Sequence, residues 1–137
     1  MTLTLLSSAG ISAEDFFQTI QDAKADLVID CRLHNTNQLA GFTKEKDLRF
    51  FLRKIAGIPY VHDVRFAPDP KLLSAYLAKT ISYDEYQRRY VAALERKGLK
   101  AAFFKDYGRY SSVVLIGSST KKRRSHVEAL KDYLEGK

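Results

Sequence analysis

The chain has one cysteine, Cys31, among 137 residues, so no internal disulfide can form and a reducing compartment is the expected setting. Histidine is scarce too. His34, His62 and His126 share no metal-ligand spacing with one another or with Cys31, so neither a zinc site nor a cofactor is expected. Long apolar runs are missing. Residues 1–8 lack a basic n-region and are too short an apolar stretch for a signal peptide, so a cytoplasmic protein with no membrane partner is expected. There are no internal repeats, low-complexity tracts or linker-like stretches, and one domain over residues 1–137 is the expectation.

What is present fits a soluble globular chain: 45% hydrophobic and 28% charged residues, enough length to bury a core without disulfides or a metal. The net charge of +7 and a pI near 9.5 favour acidic partners, nucleic acid and phosphorylated ligands first among them. Solubility alone also accounts for such a balance. The charge is uneven, with two cations against five anions in residues 1–43 and thirteen against seven in residues 84–137.

Apolar strand patterns alternate with helical ones. Leu3 to Ser7 is a β-prone run, and Ser12 then caps a helix with an apolar stripe of Phe16, Phe17, Ile20 and Ala23. Leu27-Val28-Ile29 is a buried strand that ends at Asp30 and Arg32. Thr43 is the next expected N-cap, followed by Leu48, Phe51, Leu52 and Ile55 at i, i+3, i+4, i+7 and a stop at Gly57. Pro59 confines Ile58 to Val61 to a short extended segment suited to a sheet edge. A short helix is expected through Leu72 to Leu77, and a capped one from Ser82 and Glu85 to Gly98. Ala101 to Phe104 fits helix or strand. Val113 to Gly117 is a buried strand, and Val127, Leu130 and Leu134 mark a last helix. The pattern predicts an α/β, three-layer, Rossmann-like fold with a mostly parallel sheet and helices on both faces. Ligands bind beyond the carboxyl ends of such strands, which here means Ser7 to Gly10, Asp30 to His34 and Gly117 to His126.

The segments Leu27-Val28-Ile29-Asp30-Cys31-Arg32, Gly41-Phe42-Thr43-Lys44-Glu45 and Gly57-Ile58-Pro59-Tyr60-Val61-His62 together resemble the domain-of-unknown-function family numbered 488. Its members read as a strand ending Asp-Val-Arg, a Phe-Ser/Thr-Lys helix start and Gly-Ile-x-Tyr. Ala67-Pro68, Tyr83-Asp84-Glu85-Tyr86 and Arg88-Arg89-Tyr90 are similar to the compact bacterial branch. Ser125-His126 with Leu130, Asp132, Tyr133 and Leu134 is similar to the family's Cys-His-Arg helix start. The chain departs from the pattern with Cys31 for Val, Ser125 for Cys and Val127 for Arg, and with Ser118 or Ser119 near the place of an acidic residue. The resemblance implies the fold. Any thiol- or acid-dependent chemistry of the family would be lost here.

The strongest chemical signal is the stretch Ser118, Ser119, Thr120, Lys121, Lys122, Arg123, Arg124 and Ser125, a hydroxyl-rich and basic turn between a buried strand and a helix N-terminus. With Arg32 it forms the expected ligand-binding set for nucleic acid or a phosphorylated small molecule; a solvated turn is the plainer reading. Neither a Walker order nor a thiol after the strand is present. Asp30 and Arg32 leave the strand on one side, as a polar pair that acts on a ligand or as an ion pair sealing the rim. Cys31 faces the other way, as a buried thiol or as a nucleophile if a base and a positive field lowered its pKa. Asp30 and His126 are the acid/base candidates if the protein is an enzyme. Tyr83, Tyr86, Tyr90, Tyr107 and Tyr110 beside Arg88, Arg89 and Arg109 suit base stacking or core packing. Three readings stay open: a binding protein, an enzyme acting on a nucleotide or nucleic acid, and a protein-interaction domain.

Overall fold

Ser112 to Gly117 carries six consecutive buried residues and Leu27 to Asp30 four, a pattern only a strand covered on both faces can hold. In the computed structural model, which describes residues 1–35, 41–120 and 122–137, these runs are the two central strands of a parallel four-stranded sheet. The elements are β1 (Thr2–Ser7), α1 (Ala13–Asp22), β2 (Leu27–Asp30), α2 (Glu45–Phe51), β3 (Tyr60–His62), α3 (Pro70–Leu77), α4 (Tyr83–Arg96), α5 (Leu99–Tyr107), β4 (Ser112–Gly117) and α6 (His126–Glu135). The strand order is β1-β4-β2-β3, with Asp30 beside Ile116 on one side and His62 on the other. The fold is the expected three-layer α/β arrangement.

Alternation along β2 and β4 sorts the core into two layers. Val28, Val114 and Ile116 face Phe16 and Ile20 of α1 and Leu48 of α2, with Leu52 just beyond it. Ile29, Cys31, Val113 and Leu115 face α4, α5 and α6 through Tyr90, Leu94, Phe103, Val127 and Leu130. Pro59 precedes the edge strand, where its missing N–H costs no ladder bond. Ser12, Ser82 and Ser125 cap their helices through the hydroxyl.

Two expectations shift. The helix expected to start at Thr43 is capped by Lys44, because Thr43 is buried in a 3-10 turn where its carbonyl accepts from Arg32 at 2.6 Å. Ile55 is 48% exposed although the stripe put it inside. Leu52–Ala56 form a π turn after α2, and its wider winding swings Ile55 off the face that buries Leu48 and Leu52. Residues 101–104, open between helix and strand, are helical in α5, with Phe103 buried and Phe104 exposed. No described helix is long and apolar enough to cross a membrane.

Candidate functional site

The connection after β2 leads to α2 on one face of the sheet, and the one after β4 leads to α6 on the other. Adjacent strands whose connections part in this way open a crevice at their carboxyl ends. Its walls are Asp30 to His34 and the described residues of Gly117 to His126, two of the three segments expected to meet. Cys31 N–H donates to the Ile116 carbonyl at 3.1 Å and Ser8 N–H to Gly117 at 2.9 Å, which brings the end of β1 alongside. Gly117 has to be glycine: a Cβ there would lie 2.5 Å from Val127 and 2.7 Å from the Ser125 hydroxyl, so its absence lets α6 start against the strand end.

Asp30 and Arg32 form the buried centre of this rim. The Asp30 carboxylate accepts from Arg32 Nε at 2.8 Å, Arg32 Nη2 at 2.7 Å and Asn35 Nδ2 at 3.2 Å, and also from the Tyr60 hydroxyl. Burial pushes this carboxyl up, but the hydrogen bonds and charge of Arg32, with Tyr60 and Asn35, outweigh it and hold the group below the usual carboxylate range. Asp30 is therefore an ionised, fully buried support for Arg32. The guanidinium is 3% exposed, and its Nη1 has no hydrogen-bond partner among the described residues.

His126 is 3% exposed; its Nε2–H donates to the Cys31 carbonyl at 2.7 Å and its ring meets Tyr90 edge to face at 5.3 Å. Burial lowers its pKa to about 4, so the imidazole is neutral at pH 7 and Nδ1 keeps a lone pair. Cys31 is completely buried, and burial raises its thiol well above the usual range, which makes it an apolar core residue.

The hydroxyl-rich turn divides its residues. Ser119 and Ser125 are drawn to Glu128: Ser119 Oγ donates to Oε1 at 2.6 Å and Ser125 N–H to Oε2 at 2.8 Å, completing the capping box of α6. The carboxylate beside the helix N-terminus thus comes from within the helix. Thr120 and Arg123 pair backbone to backbone at 2.8 Å, and Lys122 is exposed beside them. Arg124 lies 3.9 Å over the Tyr83 ring, turned to α4. Lys121 lies outside the described residues. Tyr86, Tyr90 and Tyr107 are buried, which suits core packing rather than an open stacking platform.

Four of the expected residues, Arg32, Ser118, Arg123 and His126, line one cavity of about 150 Å³ beyond the strand ends. His34 joins them, and Leu33, Pro68, Leu73 and Leu77 supply apolar wall. The lining thus mixes cationic and hydrogen-bonding groups with apolar ones. Among the described residues no three His, Cys, Asp or Glu side chains group as a metal site.

A second pair was not singled out in the sequence. Asp63, directly after β3, accepts from Arg65 Nε at 3.0 Å and Nη2 at 2.7 Å, and from the Tyr107 hydroxyl at 2.6 Å. The repeated Asp-x-Arg after a strand was the signal available for it.

The model of one protein family, described as domain of unknown function DUF488, matches residues 12–134. No curated protein and no solved structure matches the chain.

Proposed function

This chain belongs to the DUF488 family, and from the chemistry of its sheet rim we propose that it binds a phosphorylated ligand there, with Arg32 as the anchoring cation. The observation that carries the reading is the buried Nη1 of Arg32, a charged donor without an acceptor among the described residues. Leaving such a donor unmet costs about 1–3 kcal/mol, a cost an anionic oxygen in the cavity removes. Asp30 and the Thr43 carbonyl hold Nε and Nη2, so the guanidinium is oriented before the ligand arrives.

Size narrows the ligand. About 150 Å³ admits a phosphoryl group and a few neighbouring atoms, so a nucleic acid would present a terminal phosphate rather than its duplex. Arg123 and Ser118 add a charge and a donor, and neutral His126 offers Nδ1 to a ligand hydroxyl. Lys122 and Arg124 add to the positive field that draws anions to the rim. Asp30 has no free oxygen for proton transfer, so its burial favours binding over the enzymatic reading. The buried, unpaired Cys31 is consistent with a cytoplasmic setting.

Calorimetry with inorganic phosphate, glycerol phosphate and an oligonucleotide with or without a 5′-phosphate, at two salt concentrations, tests the proposal. The phosphate-bearing ligands should bind, and R32K should weaken them by about tenfold or more. Equal binding of the unphosphorylated oligonucleotide, untouched by R32K, would reject it.

A second reading, as a protein-interaction domain, is favoured by the face of α1 and α2 where Phe17, Phe42 and Phe51 surround exposed Ile55. Sedimentation of wild type and I55D would reveal self-association through it.

A further inference from the structure

Helix α3 separates two cavities. Leu73 and Leu77, one turn apart, face the small rim cavity, whereas Lys71, Leu72 and Ala75 face a groove of about 450 Å³ between α3 and α4. The floor of that groove is apolar, made of Leu72, Ala75, Ala93, Leu94 and Leu99. Five cations stand in its walls. Two are already neutralised: Arg65 by Asp63 at 2.7 Å and Asp106 at 2.9 Å, and Arg89 by Glu85 at 2.9 Å. The other three, Lys71, Arg96 and Lys97, have no ion-pair partner among the described residues. Asp69 is the acid in this wall, and its Oδ1 caps α3 by accepting from Lys71 N–H at 2.9 Å and Leu72 N–H at 3.3 Å.

We propose that this groove is a second ligand site, for a small organic anion with an apolar body and at least two negative charges, the chemistry of a nucleoside diphosphate. Three cations that no acid pairs with among the described residues leave the groove with a net positive charge, which a ligand carrying adjoining negative charges neutralises. Inorganic pyrophosphate would satisfy the cations but leave the floor wet, and an uncharged nucleoside would do the reverse. The volume lies within the range of small-molecule sites, and it is three times that of the rim cavity. The site shares no lining residue with Arg32 or His126, so it stands or falls apart from the rim proposal.

The test is fluorescence titration of the whole chain with N-methylanthraniloyl-ADP, with ADP, pyrophosphate and adenosine as competitors. ADP should compete at least about tenfold better than pyrophosphate or adenosine, and K71A/R96A/K97A should weaken binding by about tenfold or more. R123A, which removes an exposed cation of the rim cavity without opening a buried pair, should leave it unchanged. These three substitutions are of exposed side chains, and a circular dichroism melt shows whether the fold is kept. A second variant, L72D, inserts a charge into the floor and should abolish binding while leaving the cations in place. No binding, pyrophosphate competing as well as ADP, or a loss in R123A that matches the triple variant would overturn the proposal.

Discussion

Asp30-Cys31-Arg32 and Asp63-Val64-Arg65 end neighbouring strands and are built almost alike. In each, the aspartate accepts from the backbone N–H, Nε and Nη2 of the arginine two residues on and from a tyrosine hydroxyl. They differ in what surrounds the arginine. Arg65 is 40% exposed and shared with Asp106, so its charge is met by a second acid and by water. Arg32 is 3% exposed, is met by the Thr43 carbonyl, lines a cavity, and has no partner for its Nη1 among the described residues. One local motif thus gives a surface staple in one place and a pre-oriented anion anchor in the other, and burial decides which.

The largest difference should appear on removing each arginine. Arg32→Met leaves the Asp30 carboxylate buried without its cation and should cost about 3–5 kcal/mol in urea unfolding. Arg65→Met should cost less, about 1–2 kcal/mol, since Arg65 is 40% exposed to water, although Asp63 itself is buried and keeps only the Tyr107 hydroxyl and a backbone N–H. Equal losses would break the comparison.

The buried side also carries its own pH dependence through His126. Its pKa is lowered from 6.5 to about 4, so as the pH falls between those values the unfolded chain takes up a proton that the folded chain refuses. Stability should therefore fall across that window by about 3 kcal/mol, with none of this loss above it. The depressed Asp30 carboxyl adds its loss only at lower pH. Wild type minus His126→Gln, measured by urea unfolding at pH 7 and pH 5, isolates the histidine.

A smaller effect separates the arginines in binding. Arg32→Lys should weaken phosphate by about tenfold, and Arg65→Lys by less than about twofold. Smallest of all, Lys122→Ala should change stability by under about 0.5 kcal/mol and phosphate affinity by less than about twofold at physiological salt, because its charge is exposed and screened.

Local signals in the sequence carried the fold well. The apolar runs of β2 and β4, the serine caps at 12 and 82, and Pro59 beside the edge strand all act within a few residues of themselves. Tertiary contacts account for what shifted. Thr43 lost its capping role to the reach of Arg32, and Ile55 was turned outward by a π turn that no spacing rule anticipates. At the rim, Asp30, Arg32 and His126 were visible as strand-end and helix-start residues, but their burial was not. Nor was the capture of Ser119 and Ser125 by Glu128, or of Arg124 by Tyr83, because each joins groups whose spacing only the closed turn sets. Asp63 and Arg65 were overlooked because the edge strand before them is only three residues long.

The most direct measurement is nitrogen-15 NMR of the arginine side chains during titration with inorganic phosphate. Asp30 and the Thr43 carbonyl hold the Arg32 guanidinium in place, so its Nη signals should be resolved and should shift in a saturable way, with those of Arg65 still. Phosphate binding that moves Arg123 and Arg124 while Arg32 stays unchanged would contradict the account.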